Sequence, residues 1–535
     1  MASEPSPPAL DQVSGQASRL REGMVRGAGF MAALHPADGC VVLLLGAVFA
    51  LRVLFLLTNQ LQLSADEMYY WDWSRRLDIA YYSKGPIVAL LIAVSSHFLG
   101  YGQLGVRLPA VILGGLFVLL IYLYGRARLH PWHAFTVAAV AQLLPLLAGL
   151  GLAMTTDPPV LVCWAIALMA LAPAVRRGAT WAWLVYGLAV GLGLGAKYTT
   201  LLLPVSLLLL APWFVFSRPL LRQWSFWFGQ GLALAGLLPM LVWNGRHGWV
   251  NLAHNLGHLG ASSQFNPAQV LFGPLVLIGT QLLMLGPLTA PMLAVAGWRV
   301  VPGAWRRRDP YPLLLAALAS LLVLVCVLVS TRRDVYANWP MPLAVIGLLL
   351  MIEAWAMQPP SFRDRRWLLI GSALNGLLFA TALLPFYGIR LGLSADWLPT
   401  RRLTGWREMV QSLQRQEPQR LAAADVVITD RYTTAAALAH GLQRPPGEVF
   451  TVALGKARMN QYDIWARQDL PGRLGADALV ILHRDTDPEP LRSLFDRLEQ
   501  RPQLKVHLPG MQTRRYQVWM ARGYNGNPLP QPSRR

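Results

Sequence analysis

Residues 64–86 form a polar and aromatic segment in a chain that is otherwise dominated by long apolar stretches. The segment reads SADEMYYWDWSRRLDIAYYSKGP and contains the adjacent acids Asp66 and Glu67 and, near its end, Lys84. A positioned carboxylate can accept a proton from an attacking hydroxyl, which is general base catalysis. A lysine beside a helix N-terminus is well suited to bind a phosphate. The segment therefore predicts a site that combines a general base with an anion-binding group.

The two acids have different expected roles, because Ser64-Ala-Asp-Glu67 matches a capping box. In that arrangement Glu67 ties down the start of a helix, so its role as a cap or as a catalytic residue is left open. Asp66 lies in the first turn, where the helix dipole keeps a carboxylate ionised. We predict Asp66 and Glu67 as the catalytic acids, with Asp66 as the base. Tyr69 and Tyr70 either anchor the loop at the membrane interface or stack against a sugar.

Lys84 is followed by Gly85 and Pro86, and this step opens a short apolar segment at 86–99. Proline is favoured at the first position of a helix, and glycine lets another group approach the backbone closely. We predict that Lys84 binds a phosphate at this helix start. The competing interpretation is a lysine that only reaches up to the lipid headgroups.

Other ionisable residues are expected at the same level of the membrane. Asp157 starts an apolar segment, where it is either a site residue or only a helix N-terminal acid. Lys197 lies between two apolar segments, where an ionisable residue is a functional hypothesis by default, and we predict that it helps Lys84 to bind a substrate phosphate. The alternative is a lysine that only snorkels to the headgroups. The remaining candidates are outer-face residues that bind either a substrate anion or lipid headgroups: Arg246, His247, Arg332 and Arg333. A divalent metal is left open, because His247, His254 and His258 share one loop without further recognisable ligands.

The composition indicates a polytopic α-helical membrane protein. Of the 535 residues, 54% are hydrophobic and 14% are charged, whereas a soluble domain has about 25% charged residues. About eleven segments approach or exceed the ~20 apolar residues that cross a bilayer: 39–58, 106–124, 133–152, 158–175, 180–196, 199–216, 224–243, 269–297, 311–330, 339–357 and 367–386. The net charge of +20 does not indicate nucleic-acid binding, because the arginines gather at the ends of these segments and not in one patch.

The segment 86–99 is too short to cross and is predicted to lie at the membrane surface. With that assignment the arginine-rich loops face the cytoplasm, as the positive-inside rule requires, and the candidate site residues share the external side. We expect a disordered cytoplasmic tail at 1–37 and a transmembrane domain at 38–388 with a catalytic external loop at 59–105. An external α/β domain is expected at 389–535, because it contains β-like runs at 425–429 and 478–482.

Short motifs follow one another in a fixed order along the chain. They are Asp66-Glu67 with Tyr69-Tyr70, Tyr82-Ser-Lys-Gly-Pro86, Gly105-Val-Arg-Leu-Pro109, Thr156-Asp-Pro158, the segment from Trp243 to Trp249, Asn338-Trp-Pro340, Asp430-Arg-Tyr432 and Asn460-Gln-Tyr-Asp463. In this order they resemble the GT-C glycosyltransferases of the protein O-mannosyltransferase and aminoarabinose-lipid A transferase group. The resemblance is strongest to the bacterial branch described as glycosyltransferase family 39-like or RgtA/B/C/D-like.

The resemblance implies roles for three residues. Asp66 corresponds to the catalytic acid/base residue, Lys84 to the lysine that contacts the carrier phosphate, and Asp157 to the aspartate of the second external loop. The chain departs from the pattern at Ser83, where the lipid A transferases have a glutamate, and at Gly85, which replaces a proline. That glutamate belongs to the acceptor or metal neighbourhood of the relatives, so the acceptor and any divalent metal stay open.

We therefore expect an inverting glycosyltransferase that moves a sugar from a polyprenyl-phosphate carrier to an envelope acceptor. The acceptor is a glycolipid such as lipopolysaccharide or lipid A, or a protein, and the reaction takes place at the outer, periplasmic face of the bacterial inner membrane. Membrane lipids are expected partners and nucleic acid is not. The alternative is a transporter or flippase of the lipid-linked sugar, although transporters typically carry internal repeats and polar residues at the bilayer midplane. A membrane scaffold does not explain Asp66 and Lys84 together.

Overall fold

The computed structural model describes residues 35–58, 61–212, 218–257, 266–384, 403–454, 458–507 and 513–530. The tail expected at 1–37 lies outside these ranges except for residues 35–37, the last two of which belong to the first helix. The first residues of the expected external domain, 389–402, also lie outside them.

The membrane part of the described chain is built from α-helices. In chain order they are α1 (Pro36–Leu57), α2 (Ala65–Ser74), α3 (Ile87–Leu99), α4 (Gln103–Arg126), α5 (Pro131–Leu143), α6 (Pro145–Leu150), α7 (Asp157–Arg177), α8 (Thr180–Ala196), α9 (Leu202–Leu210), α10 (Trp224–Ala235), α11 (Leu238–Arg246), α12 (Val250–Gly257), α13 (Pro267–Leu285), α14 (Thr289–Arg307), α15 (Pro310–Ser330), α16 (Pro342–Met357) and α17 (Phe362–Leu383). Among these described helices, seven spans are long and apolar enough to cross a membrane: α1, α4, α7, α10 with α11, α13, α15 and α17.

Four further apolar stretches are shorter: α3, α8, the stretch Tyr198–Leu210 that contains α9, and α16. The polytopic helical fold is confirmed, whereas the number of eleven spans stays a prediction. The helix expected at 86–99 forms as α3 and packs against α2, α4 and α8. Its position at the membrane surface stays a prediction as well.

Three of the expected spans are divided between two α-helices: 224–243 is divided between α10 and α11, and the other two break at identifiable residues. The segment 133–152 consists of α5 and α6, and the break falls at Pro145, whose ring removes a backbone donor from a continuing helix. The segment 269–297 consists of α13 and part of α14, with the break at Gly286, where φ is +89°. A side chain at Gly286 would clash with the amide of Asn375, so this turn requires glycine. Neither segment is therefore one continuous helix.

The C-terminal region is the expected small α/β domain. Its elements are α18 (Trp406–Gln416), α19 (Pro418–Ala423), β1 (Val426–Thr429), α20 (Tyr432–Gly441), β2 (Val449–Thr451), α21 (Gln461–Asp469), β3 (Ala478–His483), β4 (Phe495–Val506) and β5 (Arg514–Tyr524). The sheet order is β2-β1-β3-β5-β4, with β2, β1 and β3 parallel and β5 antiparallel to both β3 and β4. All four residues of β1 are buried, as expected for a central parallel strand that is covered on both faces.

The loop that carries α2 and the sheet domain share one hydrophobic core. Met68 and Trp71 of α2 belong to the same buried cluster as Val427 and Ile428 of β1. Polar contacts reinforce this packing: Arg76 pairs with Asp469 at 2.6 Å, and the amide of Gln62 donates to Glu408 at 3.0 Å. The domain therefore fixes the position of α2 and of the chain that follows it.

Candidate active site

Helix α2 begins with the capping box that the sequence predicts. The Ser64 hydroxyl accepts from the backbone N–H of Glu67 at 3.2 Å, and the Glu67 carboxylate accepts from the backbone N–H of Ser64 at 2.9 Å. Asp66 lies one position earlier and its side chain is exposed. The hydroxyl of Tyr432, at the start of α20, donates to Asp66 Oδ1 at 3.1 Å. Adjacent acids on one helix turn therefore lie in opposite environments.

Glu67 is fully buried and surrounded by donors. Arg107 of α4, also fully buried, holds it in a two-pronged ion pair with both contacts at 2.7 Å. The backbone N–H of Met154 donates to the same carboxylate at 3.0 Å. Burial alone would raise the pKa of Glu67, but the charge and hydrogen bonds of Arg107, together with the backbone donors, lower it overall. Of its two expected roles the geometry favours the cap and not a catalytic acid.

The chain that carries Lys84 is held in place by two neighbouring helices and by a hydrogen bond within its own turn. Gln461 of α21 accepts from the backbone N–H of Tyr82 at 2.7 Å, and Asn251 of α12 donates to the carbonyl of Tyr81 at 2.5 Å. The carbonyl of Lys84 in turn accepts from the backbone N–H of Tyr81 at 2.9 Å. The polar groups of this turn are thus satisfied by protein, which fixes the backbone from which the ammonium group projects.

Gly85 sets the distance between this turn and the end of α8. A Cβ atom at Gly85 would clash with the backbone carbonyl of Gly195. Glycine therefore permits the close backbone approach that was expected of it. Gly195 lies two positions before Lys197, so this contact brings the turn of Lys84 next to the second lysine.

Lys197, Asp157 and Asn338 form a polar group at the N-terminal end of α7, in which Lys197 and Asp157 are buried. Lys197 Nζ lies 2.7 Å from Asp157 Oδ1, and the amide of Asn338 donates to Asp157 Oδ2 at 2.5 Å. Lys197 and Asp157 are 8% and 3% exposed. Each carboxylate oxygen of Asp157 thus has a donor, and the charge of Lys197 is neutralised.

Lys84 is half-buried, and within the part of the chain that the structure describes its ammonium group makes no hydrogen bond or ion pair. Burial lowers the pKa of Lys84 to about 8, and the positive charges of Lys197 and Arg458 add to this effect. Asp157 and Asp66 act in the opposite direction. These five groups therefore lie within electrostatic range of one another, and a cation without an acceptor is what an anionic ligand requires.

The two predicted tyrosines are both buried. The Tyr69 hydroxyl accepts from the backbone N–H of Gln461 at 2.5 Å, and its ring packs at 4.9 Å between centroids against Tyr432. Burial raises the pKa of Tyr70, and the charges of Asp66 and Asp157 add to this effect. Tyr69 therefore connects α2 to the sheet domain, whereas Tyr70 is a buried neighbour of the charged groups.

The remaining predicted residues lie at the end of α11 and in the segments that follow α11 and α15. His247 stacks on Trp243 at 3.9 Å between ring centroids, and Arg333 donates to the carbonyl of Gly257 at 3.0 Å. Arg246 and Arg332 are exposed. In the described ranges none of these four residues makes a hydrogen bond or ion pair with Lys84, Lys197 or Asp157.

The residues near Lys84 do not form a metal-binding set. In residues 35–530, apart from the gaps given above, no three His, Cys, Asp or Glu side chains gather closely enough to hold a metal ion. A guanidinium nitrogen of Arg458 lies 2.6 Å from Nδ1 of His254, and its positive charge would repel a metal at that ring. His258 lies outside the described residues.

Tyr432, Arg458, Asn338 and Arg107 contribute to this arrangement, although the sequence did not assign them roles. Three of them stand in the short motifs quoted above: Arg107 in Gly105–Pro109, Asn338 in Asn338–Pro340, and Tyr432 in Asp430–Tyr432. Their positions in these motifs were therefore the sequence feature that could have identified these three residues. Arg458, two positions before Asn460, had no such signal.

Known proteins resemble this chain both in the segment that carries Lys84, Asp157 and Lys197 and over most of its length. The family model described as dolichyl-phosphate-mannose-protein mannosyltransferase matches residues 83–243, which include Lys84, Asp157 and Lys197. Lipid A galacturonosyltransferase RgtD of Rhizobium johnstonii is 26% identical over 429 residues, covering 77% of this chain and 84% of that protein.

Two solved structures of ArnT from Cupriavidus metallidurans share the fold. The apo structure has a TM-score of 0.57 at 18% identity and covers 91% of this chain and 98% of ArnT. The structure bound to undecaprenyl phosphate has a TM-score of 0.55 at 17% identity and covers 90% and 98% of the two chains. These likenesses confirm the predicted GT-C fold with its C-terminal domain.

Proposed function

We propose that the chain is a GT-C membrane glycosyltransferase and that it transfers a sugar from a polyprenyl-phosphate carrier to a lipid A-type glycolipid of the envelope. The observation that carries the proposal is the pair Asp66 and Lys84. Asp66 is an exposed carboxylate, Lys84 is a half-buried cation without an acceptor among the described residues, and both belong to one charged cluster. The similarity to RgtD and to ArnT supports the substrate class.

In the proposed reaction, Asp66 acts as general base. The acceptor hydroxyl attacks the anomeric carbon of the donor sugar, and its proton passes to the Asp66 carboxylate. The hydrogen bond from Tyr432 orients this carboxylate. Because a single carboxylate takes part and no covalent intermediate forms, the new bond forms opposite the one that breaks, and the configuration inverts.

As the new bond forms, the bond between the anomeric carbon and the phosphate oxygen breaks, and both of its electrons go to the phosphate. The leaving group is polyprenyl phosphate, which gains one negative charge and needs no proton. Lys84 is placed to stabilise this charge, since cations aimed at a developing charge contribute most in the transition state. Lys197 is already neutralised by Asp157, so we assign it to holding Asp157 and the Lys84 turn in place.

The site is proposed to face the periplasm. Asp157 stands at one end of α7, while Arg176 and Arg177 stand at its other end, where the positive-inside rule places the cytoplasm. Asp66 and Lys84 interact electrostatically with the Asp157 end. The loop 59–105 and the domain at 389–535 would then lie outside the membrane, and Arg246, His247, Arg332 and Arg333 would contact substrate anions or lipid headgroups there.

A lipid acceptor is favoured because RgtD matches 77% of this chain, whereas the family model named for protein mannosyltransferases matches residues 83–243. The comparisons give no support to a flippase. A flippase would also leave the presence of a general base beside the cation unexplained.

The proposal is tested with the full chain in vesicles that contain a polyprenyl-phosphate-linked sugar and lipid A. We expect free polyprenyl phosphate and glycosylated lipid A to appear in equal amounts. Movement of the donor across the bilayer without release of polyprenyl phosphate would contradict the proposal and support the transporter. Sugar transferred to a protein and not to lipid A would contradict the acceptor assignment only.

A further inference from the structure

A cavity with a volume of about 710 Å³ lies between the membrane domain and the sheet domain. It is bounded by the outer end of α1, the start of α4, and the helices α18 and α20. Asp66, Lys84 and Lys197 do not line it. Its size falls within the ~300–1,000 Å³ of pockets that bind small molecules and cofactors. The carrier phosphate site and this cavity are therefore separate places in the molecule.

The side of the cavity next to the membrane domain is apolar. Leu56 and Leu57 of α1 and Leu104 of α4 line it. Leu57 is also 60% exposed, and so is Leu54, one helical turn before it on α1. In a membrane span such leucines face lipid, so the apolar wall of the cavity continues into the lipid-facing surface of α1. An acyl chain attached to a ligand in the cavity has a continuous apolar path into the bilayer.

The other walls of the cavity carry side-chain amides. Gln411 and Gln414 are exposed and lie three positions apart on α18, so they face the cavity from the same side of that helix. Gln103 at the start of α4 also lines the cavity. An amide offers both donors and an acceptor, which suits the neutral hydroxyl groups of a sugar.

Helix α20 connects the cavity to Asp66. Its first residue, Tyr432, donates to Asp66, and its last residues, including Gly441, line the cavity. At about 1.5 Å per residue the cavity lies roughly 8–14 Å from Asp66 along this helix. A glycolipid headgroup of more than one sugar can thus place one hydroxyl at Asp66 while its remainder occupies the cavity.

We propose that this cavity binds the part of the acceptor glycolipid that does not react, with its sugar hydroxyls on the amides of Gln103, Gln411 and Gln414 and its acyl chains leaving past Leu57. The inference rests on the proposed transferase function and adds the place where the acceptor binds. It assigns donor and acceptor to two sites that are joined at Asp66.

The test measures initial rates against the concentration of lipid A and, separately, of the donor. Gln411→Trp places a bulky ring at the cavity rim, and Gln103→Leu removes the amide on the opposite wall. Each variant is expected to raise the KM for lipid A about tenfold, which corresponds to the loss of one or two hydrogen bonds. The KM for the donor and kcat should stay near their wild-type values. Gln416→Trp, on the same helix outside the cavity, is the matched control and should match wild type.

The outcomes separate this inference from the function on which it rests. A wild-type enzyme that releases no polyprenyl phosphate with any acceptor refutes the transferase itself. A wild-type enzyme that glycosylates lipid A while both cavity variants keep its KM refutes the cavity assignment alone, as does an equal rise in the KM for the donor. Transfer to a protein acceptor with a KM that both variants leave unchanged also refutes it.

Discussion

Helix α7 carries a polar cluster at each end, and the two clusters differ in how their charges are neutralised. At the Arg176 end, Arg176 contacts Asp309 at 2.7 Å and Glu353 at 2.5 Å, and Arg128 contacts Glu353 at 3.0 Å. The hydroxyl of Tyr124 also donates to Glu353 at 2.6 Å. In this cluster each of the named carboxylates is paired with an arginine.

At the Asp157 end the pairing is incomplete. Lys197 and Asp157 neutralise each other, but Lys84 makes no hydrogen bond or ion pair in the described chain, and Asp66 is exposed. Since α7 has 21 residues, its ends are about 30 Å apart, the thickness of the hydrocarbon core. Similar side chains therefore serve two purposes at opposite surfaces: paired charges hold helices together, whereas a charge without a partner is available to a substrate.

The largest effect is expected from Asp66→Asn. Because the amide cannot accept the proton of the acceptor hydroxyl, transfer should fall by about 10²–10⁴-fold, the usual contribution of a general base. The measurement is the rate of lipid A glycosylation, with the melting temperature as a check on folding. Asp485→Asn, at an exposed acid of the sheet domain, is the matched control. Near-normal turnover of Asp66→Asn would refute the assigned role.

A smaller loss is expected from Lys84→Met, which keeps a long side chain and removes the charge. A hydrogen bond to a charged group contributes about 1.5–3 kcal/mol, so kcat/KM for the donor should fall about 10- to 100-fold. Lys505→Met, at an exposed lysine of β4, serves as the control. An unchanged kcat/KM for the donor would remove Lys84 from the phosphate site.

Above the pKa of Lys84, kcat/KM for the donor should fall by no more than about tenfold per pH unit. That pKa is lowered to about 8, so the cation is present below pH 8 and is lost as the pH rises through it. We expect kcat/KM for the donor to fall above about pH 8. Lys84→Arg keeps its charge at all accessible pH values, so this variant should lose the alkaline decline. The same decline in both proteins would assign it to another group.

The smallest effect on activity is expected at the other end of α7. Glu353→Gln leaves Arg128 and Arg176 with a weaker partner, which should lower the stability by about 1–3 kcal/mol while transfer at low temperature stays close to wild type. Thermal unfolding and the transfer assay measure the two quantities on the same preparation. A large loss of transfer without a change in stability would contradict the assignment of a structural role to the Arg176 end and a functional role to the Asp157 end of α7.

Local patterns were sufficient for the parts of the site that lie close together in sequence. The capping box placed Asp66 and Glu67 on the first turn of α2, and the Lys-Gly-Pro step predicted both the start of α3 and a close backbone approach at Gly85. The two roles left open for Glu67 could not be separated locally. Its buried partner, Arg107, is 40 positions away.

Long-range contacts and helix breaks could not be predicted in the same way. Tyr432 and Asp66 are 366 positions apart, and Gln461 and Tyr82 are 379 positions apart. Sequence periodicity within a short window cannot indicate that such distant residues are in contact. Hydropathy likewise averages over a window and does not detect a turn such as that at Gly286. The motifs located the partner regions, but their pairing follows from the shared core of α2 and the sheet domain.

The central claim is that Asp66 and Lys84 divide the reaction between proton removal and phosphate binding. The most direct test is single-turnover transfer with excess enzyme, combined with the Kd for the donor, because this separates the chemical step from binding. We expect Asp66→Asn to bind the donor as wild type does but to lose the chemical step, whereas Lys84→Met should weaken donor binding and also slow the chemical step. A wild-type chemical step in Asp66→Asn, or equal donor binding by all three proteins, would contradict this claim.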